Sequence, residues 1–194
     1  MVNFMHAHFK IYKPFGYLSQ FITNQQKQKK TKMLGELGDF PEGTMAIGRL
    51  DKDSEGLLLL TTNGKLSKLI TAGKIEKEYV AQVDGEITSE AIDNLQKGVE
   101  ISINGKKYLT ANCKCSLLDS APGFPERGRA IRSERHGPTS WISITLTEGK
   151  FRQVRKMTAA VGFPTLRLVR VRIGNEKLDN MQPGEVQQKL LFDI

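Results

Sequence analysis

Short segments in which apolar and polar positions alternate dominate the chain, and this period of two predicts β-strands. The clearest of these segments cover residues 77–83, 111–117, 141–147 and 165–173. Residues 57–61 form an unbroken apolar run that is short enough for a buried strand. The turn signals predict further strands: two short ones around the Pro/Gly turn within residues 8–21, one at 44–47, and a hairpin about Asn104-Gly105.

Helical spacing is less frequent. It is clearest over residues 151–161, with Gly162 as the C-terminal stop. One face of this predicted helix is apolar and comprises Phe151, Val154, Met157 and Val161. The other face is basic and comprises Arg152, Arg155 and Lys156. Thr88 is suited to cap a second helix that runs to about Lys97, and residues 65–71 suit a third, short helix.

Strands outnumber helices and do not alternate regularly with them, so we predict an α+β fold with a mixed, mostly antiparallel sheet and flanking helices. With 194 residues and 39% hydrophobic content, the chain can bury a core. We expect residues 9–194 to form one domain of two lobes behind a tail of residues 1–8. No apolar run is long enough for a membrane span and none resembles a signal peptide, so we expect a cytoplasmic protein with no membrane partner.

The positive charge of the chain is concentrated in one region. Residues 126–172 contain eleven Lys or Arg against three acids, and this excess of eight equals the net charge of the whole chain. Such a concentration favours a polyanionic partner over a merely solvated surface. Nine of the eleven are arginines, whose planar side chains suit phosphate and stack on bases. We therefore expect a nucleic-acid partner.

Asp51 is the first candidate for chemistry. It follows Arg49-Leu50, where the chain leaves one predicted strand and is about to enter another, so rigid elements on both sides can hold its side chain. Asp53 and Glu55, by contrast, suit turn or capping roles. Position alone leaves a structural role for Asp51 open as well.

A resemblance to a known family changes this balance. The segment GRLDKDSEGLLLLTTNG at residues 48–64 resembles the catalytic motif of the RsuA-type pseudouridine synthases. The same family pattern continues in KPFGYLSQ at 13–20, KEYVAQVDG at 77–85 and LTEGKFRQVRKMTAAVGFPTLRLVRVRIG at 146–174. The basic segment GRAIRSERHGPTSW at 128–141, with no S4-type RNA-binding domain ahead of the motifs, looks most like the RluE branch, which modifies large-subunit (23S) ribosomal RNA.

This resemblance implies an enzyme that converts a uridine of 23S ribosomal RNA into pseudouridine, in a central basic cleft and with no cofactor or metal. Asp51 would attack the sugar or remove a proton from it, and both routes stay open. Arg155 would keep Asp51 ionised and aim it, because a buried carboxylate needs a nearby cation to stay charged. Tyr79 would stack on the extruded base.

Further side chains are assigned to the substrate with less detail. Phosphate contact or support of the cleft is expected of Lys13, Arg49, Lys150, Arg152, Arg167 and Arg170. Leu168 is expected to close the pocket opposite the base. The loop of residues 120–138 and the segment QKQKKTK at 26–32 are candidates for RNA binding in place of an S4-type domain. Free RNA and the assembling large subunit are both open as substrates, and we expect a monomer.

Other classes of protein fit less well. A non-catalytic RNA-binding or ribosome-assembly protein would have no need of Asp51, Tyr79 and Arg155 together. A DNA-binding regulator is disfavoured because the chain has no helix-turn-helix pattern, zinc-ligand set or basic heptad region. Cys113 and Cys115 cannot alone complete a zinc site and are interpreted as ordinary reduced residues.

Overall fold

The computed structural model of the chain describes residues 6–22, 31–131 and 134–194, with the side chain of Glu134 excepted. The strands are β1 (His8–Lys13), β2 (Met45–Ala46), β3 (Glu55–Thr61), β4 (Lys77–Asp84), β5 (Glu100–Ile103), β6 (Lys106–Leu109), β7 (Lys114–Leu117), β8 (Thr139–Leu146), β9 (Thr165–Ile173), β10 (Glu176–Lys177) and β11 (Val186–Lys189). The helices are α1 (Gly64–Ala72), α2 (Ser89–Lys97) and α3 (Gln153–Ala160). The chain divides into two compact units, and β9 contributes residues to both.

The first unit contains the chain up to Ile75 together with Arg170–Ile194. Its strands follow the order β11-β1-β3-β9, and β1 runs antiparallel to both β11 and β3. All seven residues of β3 are buried, as its unbroken apolar run predicts. The core of this unit holds β1 in place and contains Phe9, Ile11, Leu34, Leu58 and Leu60. The segment of residues 13–20 begins at the end of β1.

The second unit contains Glu76–Val169. Its strands follow the order β9-β4-β8-β7, and β8 runs antiparallel to both β4 and β7. The strands β5 and β6 form a separate hairpin. The core contains Ala81 and Val83 of β4, Ile142 and Ile144 of β8, and side chains of both α2 and α3. The predicted α+β class with a mostly antiparallel sheet is confirmed.

Several local predictions are confirmed because short-range signals decide them. Thr88 caps α2, and its side chain accepts a hydrogen bond from the backbone N–H of Ala91. Asn104 and Gly105 both have positive φ, as a two-residue hairpin turn requires. The strand predicted at 165–173 has the observed bounds.

Other predictions are wrong. After the Pro/Gly turn no second strand forms in the described residues, because Leu18 makes only an isolated bridge to Met33. The short helix predicted at 65–71, by contrast, is present as α1, and the side chain of its N-cap Asn63 accepts from the N–H of Leu66. Phe151, predicted on the buried face of the last helix, is 65% exposed, because α3 begins only at Gln153.

Some predictions fall partly outside the described residues. These are residues 1–5 of the tail, residues 26–30 of QKQKKTK and residues 132–133 of the 120–138 loop. The described part of that loop is irregular except for a single helical turn at Glu134–His136. None of the described helices has the length and apolar character that a membrane crossing requires.

Candidate active site

The loop that carries Asp51 is tied to residues 13–20 on both sides of the aspartate. On the preceding side, the Ser19 hydroxyl donates to the carbonyl of Leu50 at 2.7 Å and accepts from its N–H at 2.9 Å. On the following side, the N–H of Gly16 donates to the carbonyl of Lys52 at 2.8 Å. The N–H of Ser54 donates to the carbonyl of Asp51 itself at 3.0 Å, which closes a turn. Asp51 is half-buried, so a rigid backbone presents a carboxylate that is not sealed inside.

Lys13 lies fully buried near this loop. Its ammonium donates to the carbonyls of Pro14 at 2.9 Å and Tyr17 at 2.8 Å, which fixes the turn that contains Gly16. Burial lowers the pKa of Lys13 to about 7, although the carboxylates of Glu55, Asp53 and Asp51 oppose this shift. A fully buried lysine held by two carbonyls supports the loop that carries Asp51 and has no surface with which to contact a phosphate. Its role in a substrate cleft stays a prediction.

The remaining site candidates of the first unit differ in exposure. Arg170 is buried, its Nε donates to the carbonyl of Leu57 at 2.8 Å, and its charge contributes to the lowered pKa of Lys13. Arg49 is exposed, next to Leu50. The first unit thus brings Lys13, Asp51 and Arg170 into one electrostatic cluster and leaves Arg49 at the surface.

In the second unit, Tyr79 lies in β4 opposite Ile144 of β8. It is half-buried and packs against the core of this unit, to which Leu168 also belongs. A ring packed along one side and open on another can offer a flat surface to a base. Leu168 is 4% exposed, so its contribution is to the shape of the core.

The segment that leads into α3 is anchored by Glu148. Its carboxylate accepts hydrogen bonds from the Tyr108 hydroxyl, the N–H of Ala111 and the side-chain amide of Gln153. Burial on its own raises the pKa of Glu148, but these three hydrogen bonds and the charge of Lys150 outweigh it and lower the pKa overall. Glu148 therefore stays ionised and joins β6, the Ala111 segment and the start of α3.

Lys150 and Arg152 lie within this anchored segment. The Lys150 ammonium lies 4.9 Å from the centre of the Tyr108 ring. The backbone N–H of Lys150 donates to the side-chain oxygen of Gln153. Arg152 has φ of 53°, a left-handed conformation that is uncommon for a residue with a side chain. Such strain persists where neighbouring residues are held in place, and here both Glu148 and Lys150 form hydrogen bonds with the side chain of Gln153.

The arginines of α3 and β9 are held by backbone carbonyls. Arg155 is half-buried and its Nη1 donates to the carbonyl of Thr165 at 3.3 Å. Arg167 is 6% exposed, donates to the carbonyl of Pro125 at 2.8 Å, and lies 5.6 Å from the centre of the Phe124 ring. Each guanidinium is therefore oriented within the second unit. The pairing of Arg155 with Asp51, which belongs to the first unit, stays a prediction.

The sequence analysis missed the side chains that support these groups. Ser19 is part of a family motif, but its bond to Leu50 joins positions 31 residues apart and has no local signal. Glu148 stands in the sequence only as one acid among basic residues. A carboxylate beside Gly149, ahead of an amphipathic helix, is the available signal for such an anchor.

The cysteines and the possible metal ligands are the remaining groups that could carry chemistry. Cys113 and Cys115 are free thiols, and burial raises their pKa values to about 11 and about 12, so both stay protonated near neutral pH. Within the described ranges, no group of three or more His, Cys, Asp or Glu is arranged to hold a metal ion.

Comparison with known proteins gives consistent matches. The profile of the RNA pseudouridylate synthase family matches residues 7–160. The "Ribosomal large subunit pseudouridine synthase E" of Xanthomonas axonopodis pv. citri (strain 306) is 44% identical over 173 residues, which are 88% of this chain and 87% of that protein. A protein of the same name from Vibrio parahaemolyticus serotype O3:K6 (strain RIMD 2210633) is 41% identical over 177 residues, 89% of this chain and 69% of its own length. A solved structure described as "Crystal structure of pseudouridylate synthase" matches with a TM-score of 0.74 and 25% identity, over 95% of this chain and 70% of its own.

Proposed function

Because the chain belongs to the RNA pseudouridylate synthase family, we propose that it converts a specific uridine of large-subunit (23S) ribosomal RNA into pseudouridine. The two relatives from Xanthomonas and Vibrio carry names that state a large-subunit ribosomal substrate, and they cover most of this chain. The excess of positive charge within residues 126–172 suits an RNA substrate. The protein would act in the cytoplasm as a monomer, on free RNA or on the assembling large subunit.

The observation that carries this proposal is the way in which Asp51 is held. Ser19 and Gly16 fix the residues on either side of it, and Asp51 itself is only half-buried. A reaction at the sugar of an extruded nucleoside needs a carboxylate whose position is fixed to a fraction of an ångström. A residue with only a turn role would not need support on both sides.

The reaction that the family resemblance implies requires three roles. The N-glycosidic bond breaks, the uracil turns while it stays bound, and its C5 joins the ribose. Asp51 would attack the sugar or remove a proton from it, Arg155 would keep Asp51 ionised, and Tyr79 would stack on the base. Lys13, Arg49, Lys150, Arg152, Arg167, Leu168 and Arg170 would support the cleft or bind the RNA.

Two variants of the same loop test the catalytic role. Asp51→Asn is expected to abolish release of tritium from large-subunit RNA labelled at C5 of uridine, while RNA affinity stays close to wild type because phosphate contacts dominate it. Asp53→Asn, which changes a half-buried carboxylate two residues away, is the matched control and should retain most of the activity. Turnover by purified Asp51→Asn protein would disprove the assignment of Asp51.

The substrate is tested in cells. Pseudouridine is mapped in ribosomal RNA from a strain that lacks the protein, and one position of the large-subunit RNA is expected to remain uridine. Expression of the wild-type chain should restore that position, whereas Asp51→Asn should not. An unchanged large-subunit RNA in the deletion strain would contradict the proposed substrate.

A further inference from the structure

A cavity of about 970 Å³ opens within the second unit. Part of its wall comes from the described part of the basic loop at 120–138, where Glu126, Arg127 and Arg129 contribute charged side chains. The rest comes from strand residues: Gln82 of β4, Thr139 of β8 and Arg167 of β9. Cavities that hold small molecules or their fragments are generally of this size.

Gln82 gives the cavity a specific hydrogen-bonding need. The Nε2 of its side chain donates to the Thr139 hydroxyl at 3.0 Å. Its Oε1 is buried and has no hydrogen-bond partner among the described residues. A buried acceptor without a partner costs about 1–3 kcal/mol, so a ligand whose donor reaches this oxygen when the side chain turns toward the cavity would gain affinity. The N–H groups of a base and the 2′-hydroxyl of ribose are such donors.

The charge of the cavity suits a phosphate. Three arginines, Arg127, Arg129 and Arg167, line it against the single acid Glu126. Arg127 is oriented by the bond from its Nε to the carbonyl of Arg129 at 2.9 Å. Arg167 is oriented by the Pro125 carbonyl and the Phe124 ring. An arginine that is already fixed in place loses less side-chain entropy when it binds an anion.

The cavity is separate from the surface of Tyr79. Side chains of a strand alternate between faces, so Tyr79 and Gln82 of β4 point to opposite sides. Tyr79 lies with Ala81 and Val83 on the core side. In β9, Leu168 likewise belongs to the core, and its neighbour Arg167 lines the cavity. The ligand of the cavity is therefore not the base that Tyr79 is proposed to stack on.

We propose that this cavity binds a second nucleotide of the RNA substrate, with Gln82 accepting a hydrogen bond from its base or ribose and Arg127, Arg129 and Arg167 contacting its phosphate. The inference rests on the proposed function, since it takes the substrate to be RNA. It gives the basic loop a defined role, because a nucleotide bound there lets the loop select the RNA outside the reacting position.

The test uses the full chain and two probes. One probe is a fluorescein-labelled single-stranded RNA oligonucleotide of mixed sequence, whose affinity is measured at several salt concentrations. The other is tritium-labelled large-subunit RNA, with which KM and kcat are measured separately. Lys106→Ala, a change at an exposed lysine of β6 outside the cavity, removes the same unit of charge and is the control.

Gln82→Leu should weaken oligonucleotide binding and raise KM roughly tenfold with little change in kcat, since one buried polar contact is lost. Its melting temperature should stay close to wild type, because the lost bond from Nε2 to the Thr139 hydroxyl is offset by removal of a buried Oε1 that has no partner among the described residues. Arg129→Ala should reduce the slope of log affinity against log salt by about 0.7, the value for one phosphate contact on a single strand. Lys106→Ala should change neither quantity.

The inference is overturned if Gln82→Leu binds the oligonucleotide as wild type does. An effect of Arg129→Ala alone also overturns it, because general surface charge would explain such a result. The proposed function is judged separately, by whether the wild-type chain forms pseudouridine. If it does not, the oligonucleotide measurements still decide whether the cavity binds a nucleotide.

Discussion

The two units hold their charged side chains in different ways. In the first unit, cations and carboxylates are mixed within one small cluster of Lys13, Asp51, Asp53, Glu55 and Arg170. In the second unit, the loop cavity is lined by three arginines against a single acid. A mixed cluster can fix the position and ionisation of one carboxylate, whereas an excess of one sign attracts an extended polyanion.

The contacts that hold these charged side chains in place also differ between the two units. Backbone atoms on both sides of Asp51 are bound by Ser19 and Gly16, so that residue is placed by short hydrogen bonds to the main chain. The segment with Lys150 and Arg152 is instead anchored through one side chain, Glu148. Chemistry at one atom demands a closely fixed position, whereas RNA binding is divided among many contacts and tolerates more movement. Changes to the first support should therefore act on kcat, and changes to the second mainly on KM.

Among changes to these supporting contacts, the largest loss of activity is expected from Ser19→Ala. This variant loses both hydrogen bonds to Leu50, so Asp51 can shift, and a displacement of this order can lower kcat about 100-fold. Oligonucleotide affinity should remain close to wild type. The measurements are kcat by tritium release and affinity by fluorescence anisotropy, both well below the melting temperature of the variant.

Ser116→Ala, which changes an exposed serine of β7, is the control and should match wild type in both assays. Equal losses of kcat and affinity in Ser19→Ala would contradict the idea that Ser19 acts through Asp51, and would indicate general damage to the fold.

A smaller effect is expected from Glu148→Ala. It leaves three hydrogen-bond donors without their acceptor and loosens residues 148–153, which carry Lys150 and Arg152. We expect kcat/KM to fall roughly tenfold, mainly because KM rises. A change of this size is typical when one charged hydrogen-bond acceptor is removed. Steady-state kinetics on large-subunit RNA separates the two constants.

Glu100→Ala provides a matched comparison in the same unit. Glu100 pairs with Lys107, but both side chains are largely exposed, and such pairs contribute little. This variant should have wild-type kinetics. A loss in kcat alone for Glu148→Ala would disagree with the proposed division between the two units.

The sequence predicted the elements whose signals are local. The Thr88 cap, the Asn104-Gly105 turn and the buried run of β3 each depend on a few adjacent residues. The strands β10 and β11 were missed because they are short and lack an apolar period; Val186–Lys189 is a strand only because it pairs with β1. Phe151 was misplaced because the left-handed Arg152 interrupts the helical period just before α3.

The same distinction applies to the candidate site. Motifs indicated Asp51, Tyr79 and Arg155, since a family resemblance marks the residues that perform a reaction. Supporting contacts such as Ser19 to Leu50 or Tyr108 to Glu148 join distant positions, and only the fold brings them together. The cavity at Gln82 was missed for this reason, although the charge of the basic loop that lines it is evident from the sequence.

The last prediction concerns the pH dependence of stability, and not activity, at the buried Lys13. Its pKa is about 7 in the folded chain and near 10.5 when unfolded, so between these values the unfolded state binds more protons. The free energy of unfolding of wild type should therefore rise relative to Lys13→Met by about 1.4 kcal/mol for each pH unit in this window, and the difference should be constant below it.

Urea unfolding of both proteins at pH 6.5, 8 and 9.5 measures this change. Thr88→Ala, which weakens the cap of α2 and adds or removes no titratable group, serves as the control, and its deficit should be the same at all three values. A constant difference between Lys13→Met and wild type from pH 6.5 to 9.5 would mean that the folded chain keeps Lys13 charged. The mixed cluster of the first unit would then stabilise that cation fully, and Lys13 would be a permanent charge beside Asp51 instead of one that titrates near neutrality.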